Sequence, residues 1–269
     1  MPIWLKAAVL GIVQGLTEFL PISSTAHLLV GERLLGFDDP NSVFTEMIQL
    51  GSILAIVWLY RAKILALCTG LFSRHDDRHF AFAIILATIP ALLAGALLSD
   101  VIKRVLYQSP RVFAIAFIAG GLVMLAVERF RAAPTLANAE QIPLSRAFGV
   151  GLCQALALIP GVSRSGATIV GGMVLGLDRA AAAEFSFFLA IPTMTAAFAH
   201  DLLDVRHNLS AARALEIGVG LSMAFVSSLL IIRPFLSFVR RSGFAPFAWY
   251  RIALGTVLLV AIAAGWLRG

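Results

Sequence analysis

The chain has 269 residues, of which 59% are hydrophobic and 13% charged, and its mean hydropathy is +0.91. Soluble domains carry about a quarter charged residues, so this composition excludes one and fits a single helical membrane domain filled by about six spans of roughly 20 residues. The net charge of +6 is no nucleic-acid signature, because the Lys and Arg residues sit between apolar runs, as membrane anchors do, and form no basic stripe.

The first apolar stretch is interrupted. Residues 11–27 read GIVQGLTEFLPISSTAH. As a helix, this places Gln14 and Glu18 one turn apart on a shared face. Pro21 then breaks the hydrogen-bond ladder. Ser23 or Ser24 can cap a second short helix, on which His27 shares the serines' face. Neither arm has the length of a span, so a re-entrant hairpin is predicted. Residues 37–42 form a polar turn, and residues 43–60 the first full span. Residues 61–79 read as a basic loop. Residues 80–99 make the second span, kinked at Pro90, and residues 112–127 the core of the third. Residues 128–146 are the longest polar connector and mark the midpoint.

The second half begins again with a broken segment. Apolar residues 147–159 lead into PGVSRSGAT at 160–168, followed by apolar residues 169–177. Three spans are predicted at 180–203, 214–232 and 247–266. Trp4, Trp58, Trp249 and Trp266 lie near span ends, as an aromatic belt does. Cys68 and Cys153 show no ligand spacing and read as small buried hydrophobes.

The halves, about 1–130 and 145–269, resemble each other. GIVQGL at Gly11 matches GLCQAL at Gly151, which equates Gln14 with Gln154. A proline follows in each, Pro21 or Pro160, and then a serine cluster. Each half reads as one broken hairpin plus three spans. Since a hairpin returns to its starting side and three spans do not, the halves are predicted to be oppositely oriented, as an inverted repeat. The two breaks then meet near the midplane, with Glu18 and His27 in reach of Arg164. Loops on the side of residues 61–79 and 128–146, with Arg179, Arg233, Arg240 and Arg241, carry more basic residues than the opposite side. That side holds Lys6, Arg33, Lys103, Arg104, Arg111, Arg206, Arg213 and Arg268. The bias puts the first side in the cytoplasm.

The polar groups at the breaks make a chemical set. A carboxylate, an amide, hydroxyls and an imidazole inside an apolar segment need a wet, protein-lined cavity. In the second break, Ser163, Ser165 and Thr168 supply hydroxyls, Gly166 lets backbone approach a ligand, and the opening N–H groups of the next helix point at anions. Arg164 adds a donor fork suited to phosphate. Nothing nearby in sequence neutralises it, so Glu18 or an anionic ligand must. Ser24 or Ser23 beside His27 offers a nucleophile with a base, and the whole is a kit for phosphoryl transfer. Glu18 with Gln14 would also hold a hydrated divalent cation that clamps a diphosphate.

These motifs, Gln14–Glu18 followed by PISSTAH and then PGVSRSGAT, resemble those of the undecaprenyl-diphosphate phosphatases of the bacitracin-resistance type. The resemblance extends over essentially the whole chain, including IQLGSILA at Ile48 and EFSFFLAIP at Glu184. It implies an all-α polytopic inner-membrane hydrolase with an inverted repeat and a periplasm-facing site. Such an enzyme depends on Mg²⁺ or Ca²⁺, acts on a polyprenyl diphosphate lipid, and recycles the wall-polymer carrier. Carried over by position, the acidic pair falls on Gln14 and Glu18, the serine and histidine on Ser24 and His27, and the phosphate-binding arginine on Arg164. Substrate contacts are expected from Ser23, Thr25, Ser163, Ser165, Gly166 and Thr168, and a homodimer is left open. Many members have Glu where this chain has Gln14, so Glu18 carries the charge alone. Architecture by itself favours a rival, a secondary transporter or flippase of polyprenyl phosphates. The serine, histidine and arginine favour the enzyme.

Overall fold

The structure, a computed structural model, describes residues 1–101, 106, 109–205 and 211–265. Trp266, Lys103, Arg104, Arg206 and Arg268, used above for the belt and the orientation, lie outside the described residues. The regular elements among the described residues are helical, as a lipid solvent requires of a backbone that must satisfy its own polar groups. In chain order they are α1 (Ile3–Thr17), α2 (Ser24–Leu35), α3 (Val43–Leu59), α4 (Arg61–Gly70), α5 (His75–Val101), α6 (Pro110–Phe130), α7 (Leu144–Ala155), α8 (Arg164–Val174), α9 (Arg179–Val205), α10 (Ala211–Ser242) and α11 (Ala245–Ala263).

Five of these, α5, α6, α9, α10 and α11, are long and apolar enough to cross a membrane, and α3 with α4 makes a sixth if the bent pair is one span. At about 1.5 Å per residue, the 15 residues of α1 and the 12 of α7 fall short of a span. Both stop at the breaks expected from Pro21 and Pro160.

Two expectations need correction. Residues 61–70 are not loop but helix α4, set 70° from α3. Neither proline nor glycine occurs there before Gly70, and its cations find partners. The Arg61 guanidinium lies 4.7 Å over the Trp58 ring, and Lys63 Nζ donates to Glu184 at 3.0 Å. The outer face of α4 leaves Cys68 exposed rather than buried. The second correction is at α10, which runs through Pro234 to Ser242 instead of ending near 232. Arg233, Arg240 and Arg241 are therefore helical, and the last two complement the negative end of its dipole.

The main core gathers around α9. Phe80, Phe185, Phe187, Phe188, Phe235 and Phe244 are each at most 4% exposed. The helices pack reciprocally: α1 and α3 lie on α10, α7 and α9 lie on α5, and α6 pairs with α11. Two glycines allow close approach in corresponding pairs. A Cβ at Gly11 would overlap the carbonyl oxygen of Gly220 on α10, and one at Gly151 would overlap that of Ala87 on α5. These are the two positions equated by the sequence match.

Candidate active site

The two breaks meet. Glu18, the residue that ends α1, is 8% exposed, and its carboxylate is the centre of a polar network. Its Oε2 accepts from Gln14 Nε2 at 3.0 Å and from the Ser24 hydroxyl at 2.7 Å. Its Oε1 accepts from Arg164 Nη2 at 3.1 Å, across 146 residues of chain. Ser24 and Arg164 are the first residues of α2 and α8. One carboxylate thus accepts from the side chain of the first residue of each of two helices. The residues that precede them, Ser23 and Ser163, have φ of 66° and 70°. Non-glycine residues adopt such angles at a cost of order 1–3 kcal/mol, and they concentrate at functional sites.

The opening of α8 is tied to the first break by a chain of hydroxyls. Gly166 N–H donates to Ser163 Oγ at 3.1 Å, Ser163 meets Ser165 at 3.1 Å, and Ser165 donates to the Leu20 carbonyl at 2.8 Å. Thr168 Oγ1 lies 2.6 Å from Ser186 Oγ. Arg164 Nη1 donates to the Ser186 carbonyl at 3.1 Å, and Nη2 reaches the Met194 sulfur at 3.2 Å. Two buried atoms in this cluster have no partner, Gln14 Oε1 and Arg164 Nε.

His27 is placed differently from its expected role. The sequence spacing puts it on the face of Ser24. Side chains of a helix lean toward its N-terminus, however, and at the first residue of α2 this aims the Ser24 hydroxyl back at Glu18. The imidazole Nδ1 lies 2.7 Å from the Ser23 carbonyl, and Nε2 lies 2.6 Å from Tyr250 Oη. A carbonyl only accepts, so Nδ1 carries the hydrogen and the neutral ring accepts from Tyr250. The Tyr250 ring also stacks on the imidazole, 5.6 Å between centroids. The structure therefore gives the Ser24 proton to Glu18 and gives His27 to Tyr250. Thr25, half-buried in the first turn of α2, stands outside the network.

The residue that sequence reasoning missed is Arg251. It is 1% exposed. Its guanidinium donates to carbonyls from both breaks: Pro21 at 3.1 Å, Val162 at 3.2 Å and Gly161 at 3.0 Å. It also donates to Ala116 at 3.0 Å and lies 5.1 Å over the Phe117 ring. A cation held by carbonyls alone in a bilayer is costly, and what it achieves here is to staple the breaks together. The signal was present in the sequence, an arginine inside the apolar run 247–266, but nothing local names its acceptors. Ser186, Met194 and Tyr250 were missed for the same reason.

This geometry can hold an anion beside Arg164 and can activate the Ser24 hydroxyl through Glu18. A model of the family described as bacitracin resistance protein BacA matches residues 7–257. Among curated relatives, undecaprenyl-diphosphatase 1 of Agrobacterium fabrum is 47% identical over 96% of each chain. The undecaprenyl-diphosphatase of Phenylobacterium zucineum is 47% identical over 98% of this chain and 99% of its own. That of Caulobacter vibrioides is 46% identical over 97% of this chain and 98% of its own. With a match this long, and with both serine-bearing breaks inside it, the chain belongs to the bacitracin resistance protein BacA family.

Proposed function

We propose that this chain hydrolyses undecaprenyl diphosphate to undecaprenyl phosphate and inorganic phosphate at the pocket around Glu18. The observation that carries the reading is the convergence of Ser24 and Arg164 on one carboxylate from opposite halves of the chain. The terminal phosphate takes the place beside Arg164 that the carboxylate shares in the free enzyme. The Ser24 oxygen attacks its phosphorus, the hydroxyl proton passes to Glu18 Oε2, and the bond to the bridging oxygen breaks to release undecaprenyl phosphate. Glu18 passes that proton to the departing undecaprenyl phosphate. Water then attacks the phosphoserine and gives a proton to Glu18, the bond from phosphorus to the Ser24 oxygen breaks to release inorganic phosphate, and Glu18 returns the proton to the Ser24 oxygen. Transfer of this kind rests on positioning and charge stabilisation more than on covalent chemistry. The hydroxyls of Ser163, Ser165 and Thr168 and the first N–H groups of α8 line the anion side.

A Mg²⁺ or Ca²⁺ ion fits beside Glu18, where the unpartnered Gln14 Oε1 adds a hard oxygen donor. Among the described residues no three His, Cys, Asp or Glu side chains cluster as a metal group, so the remaining ligands would be diphosphate oxygens and water. Bound there, the ion would neutralise phosphate charge.

We also read the two halves as an inverted repeat, a reading supported by the reciprocal packing of α1 on α10 and α7 on α5. The protein is a multi-pass protein of the bacterial inner membrane. The basic bias favours a periplasmic mouth, and light scattering in detergent tests a homodimer. The relatives' names favour the hydrolase over a transporter or flippase. The test is phosphate release from undecaprenyl diphosphate by purified protein in detergent. Ser24→Ala is expected to lose about 10³-fold or more in kcat, and chelator to suppress wild-type turnover. Near-normal release by Ser24→Ala would remove the serine from its role, and no release by wild type would remove the phosphatase.

A further inference from the structure

An apolar groove of about 540 Å³ adjoins the site, between the last two helices and the first break. Leu20 and Ile22 form its inner end, Ile231 and Phe235 of α10 one wall, and Phe247 and Tyr250 of α11 the other. Its inner end is part of the active-site backbone, because the Leu20 carbonyl accepts from Ser165. Its polar rim is the Tyr250 hydroxyl, hydrogen-bonded to His27. The outer wall is stiff: Phe247 packs edge-on against Phe235 at 5.5 Å and against Phe238 at 5.6 Å between centroids. Ile22 and Phe235 are buried, whereas Tyr250 and Phe238 are 43% and 40% exposed, so the groove opens toward the lipid.

We propose that this groove seats the first isoprene units of the polyprenyl substrate, with Tyr250 marking where the chain ends and the diphosphate begins. The assignment rests on the phosphatase reading above, which supplies a ligand with a charged head and a branched apolar tail. Burial itself contributes little, since bilayer hydrocarbon is as apolar as the groove walls. What rigid aromatic walls add is orientation: a flat, branched chain held at Leu20 and Ile22 sets its phosphates over Ser24 and Arg164. Orientation of this kind acts on the rate, and a displacement of about 1 Å is worth roughly a hundredfold. His27 and Tyr250 then face the phosphate that carries the chain, and Glu18 and Arg164 face the terminal one that is transferred to Ser24.

The test is photolabelling of the full-length wild-type protein in detergent with a farnesyl diphosphate analogue carrying a benzophenone at its tail end, followed by peptide mapping. Label on the groove faces of α10 and α11 that undecaprenyl diphosphate displaces is the expected result. Label spread over other lipid-facing helices, or label that the competitor leaves in place, would overturn the proposal. Ile231→Trp, which fills the groove, should reduce both the labelling and kcat/KM for farnesyl diphosphate roughly tenfold, equivalent to about 1.4 kcal/mol. Phe82→Trp, on the exposed face of α5, should change neither. If Ile231→Trp fails to fold, the wild-type map alone decides. Labelling does not require turnover, so a wild type that is labelled in the groove but releases no phosphate would count against the phosphatase and not against the seat.

Discussion

Replacing Arg251 by Met tests whether the helix breaks are held together by one guanidinium. Met keeps an apolar stem against Phe117 and removes the charge and all donors. Four carbonyls within 3.2 Å, those of Pro21, Gly161, Val162 and Ala116, lose their partner. Polar contacts between helices in a bilayer average about 0.6 kcal/mol and reach about 1.7. Four of them therefore contribute about 2–7 kcal/mol. Relief of a desolvated charge offsets part of this, because no orphan cation remains in the variant. The expected net loss is about 2–4 kcal/mol, read by unfolding in mixed micelles, together with a fall of about 10² in kcat as the carboxylate, hydroxyl and guanidinium separate. Arg251→Lys keeps the charge but cannot span all four acceptors, and should fall between the two. An Arg251→Met protein with stability within about 0.5 kcal/mol of wild type and normal turnover would refute the staple.

Further outcomes follow from the same contacts. Glu18→Gln leaves Arg164 buried without a counter-charge, a loss of about 3–5 kcal/mol, and should abolish phosphate release. Adding Arg164→Met should restore stability but not activity, a pattern visible only if unfolding and turnover are both measured. Leu at Gly11 or at Gly151 should each disrupt one helix pair, α1 on α10 or α7 on α5, and lower the melting temperature of the detergent-solubilised protein. Equal damage at both positions is what the repeat predicts, and tolerance at either would contradict the close approach. Ser163→Ala should destabilise by about 1 kcal/mol through loss of the α8 cap, seen as a lower denaturation midpoint with KM rising more than kcat falls.

Much of the site was legible because its parts are local. Pro21 and Pro160 lie in the breaks that follow α1 and α7, and a serine a few residues after each marks the restart. Arg164 in an apolar run required an anion, and Glu18 supplies it at 3.1 Å. The pairing of Ser24 with His27 was not legible. Both lie on one face by periodicity, yet the hydroxyl at the first residue of a helix points backward into the break, where Glu18 waits. The loop expected at residues 61–70 failed for a related reason: charge density marks a membrane boundary but does not forbid a helix, and α4 is stabilised by partners on α3 and α9.

The order of apolar runs, the two prolines and the glycines at 11 and 151 determined a helical membrane domain with two interrupted segments, because hydrophobic length and backbone chemistry act within a few residues. Only the tertiary structure decided which carbonyls Arg251 holds, that Tyr250 rather than Ser24 engages His27, and that α10 and α11 leave a groove beside the break. Those partners lie up to 230 residues apart. No periodicity encodes such pairings, which are fixed by the packing of helices that meet only when the chain has closed on itself.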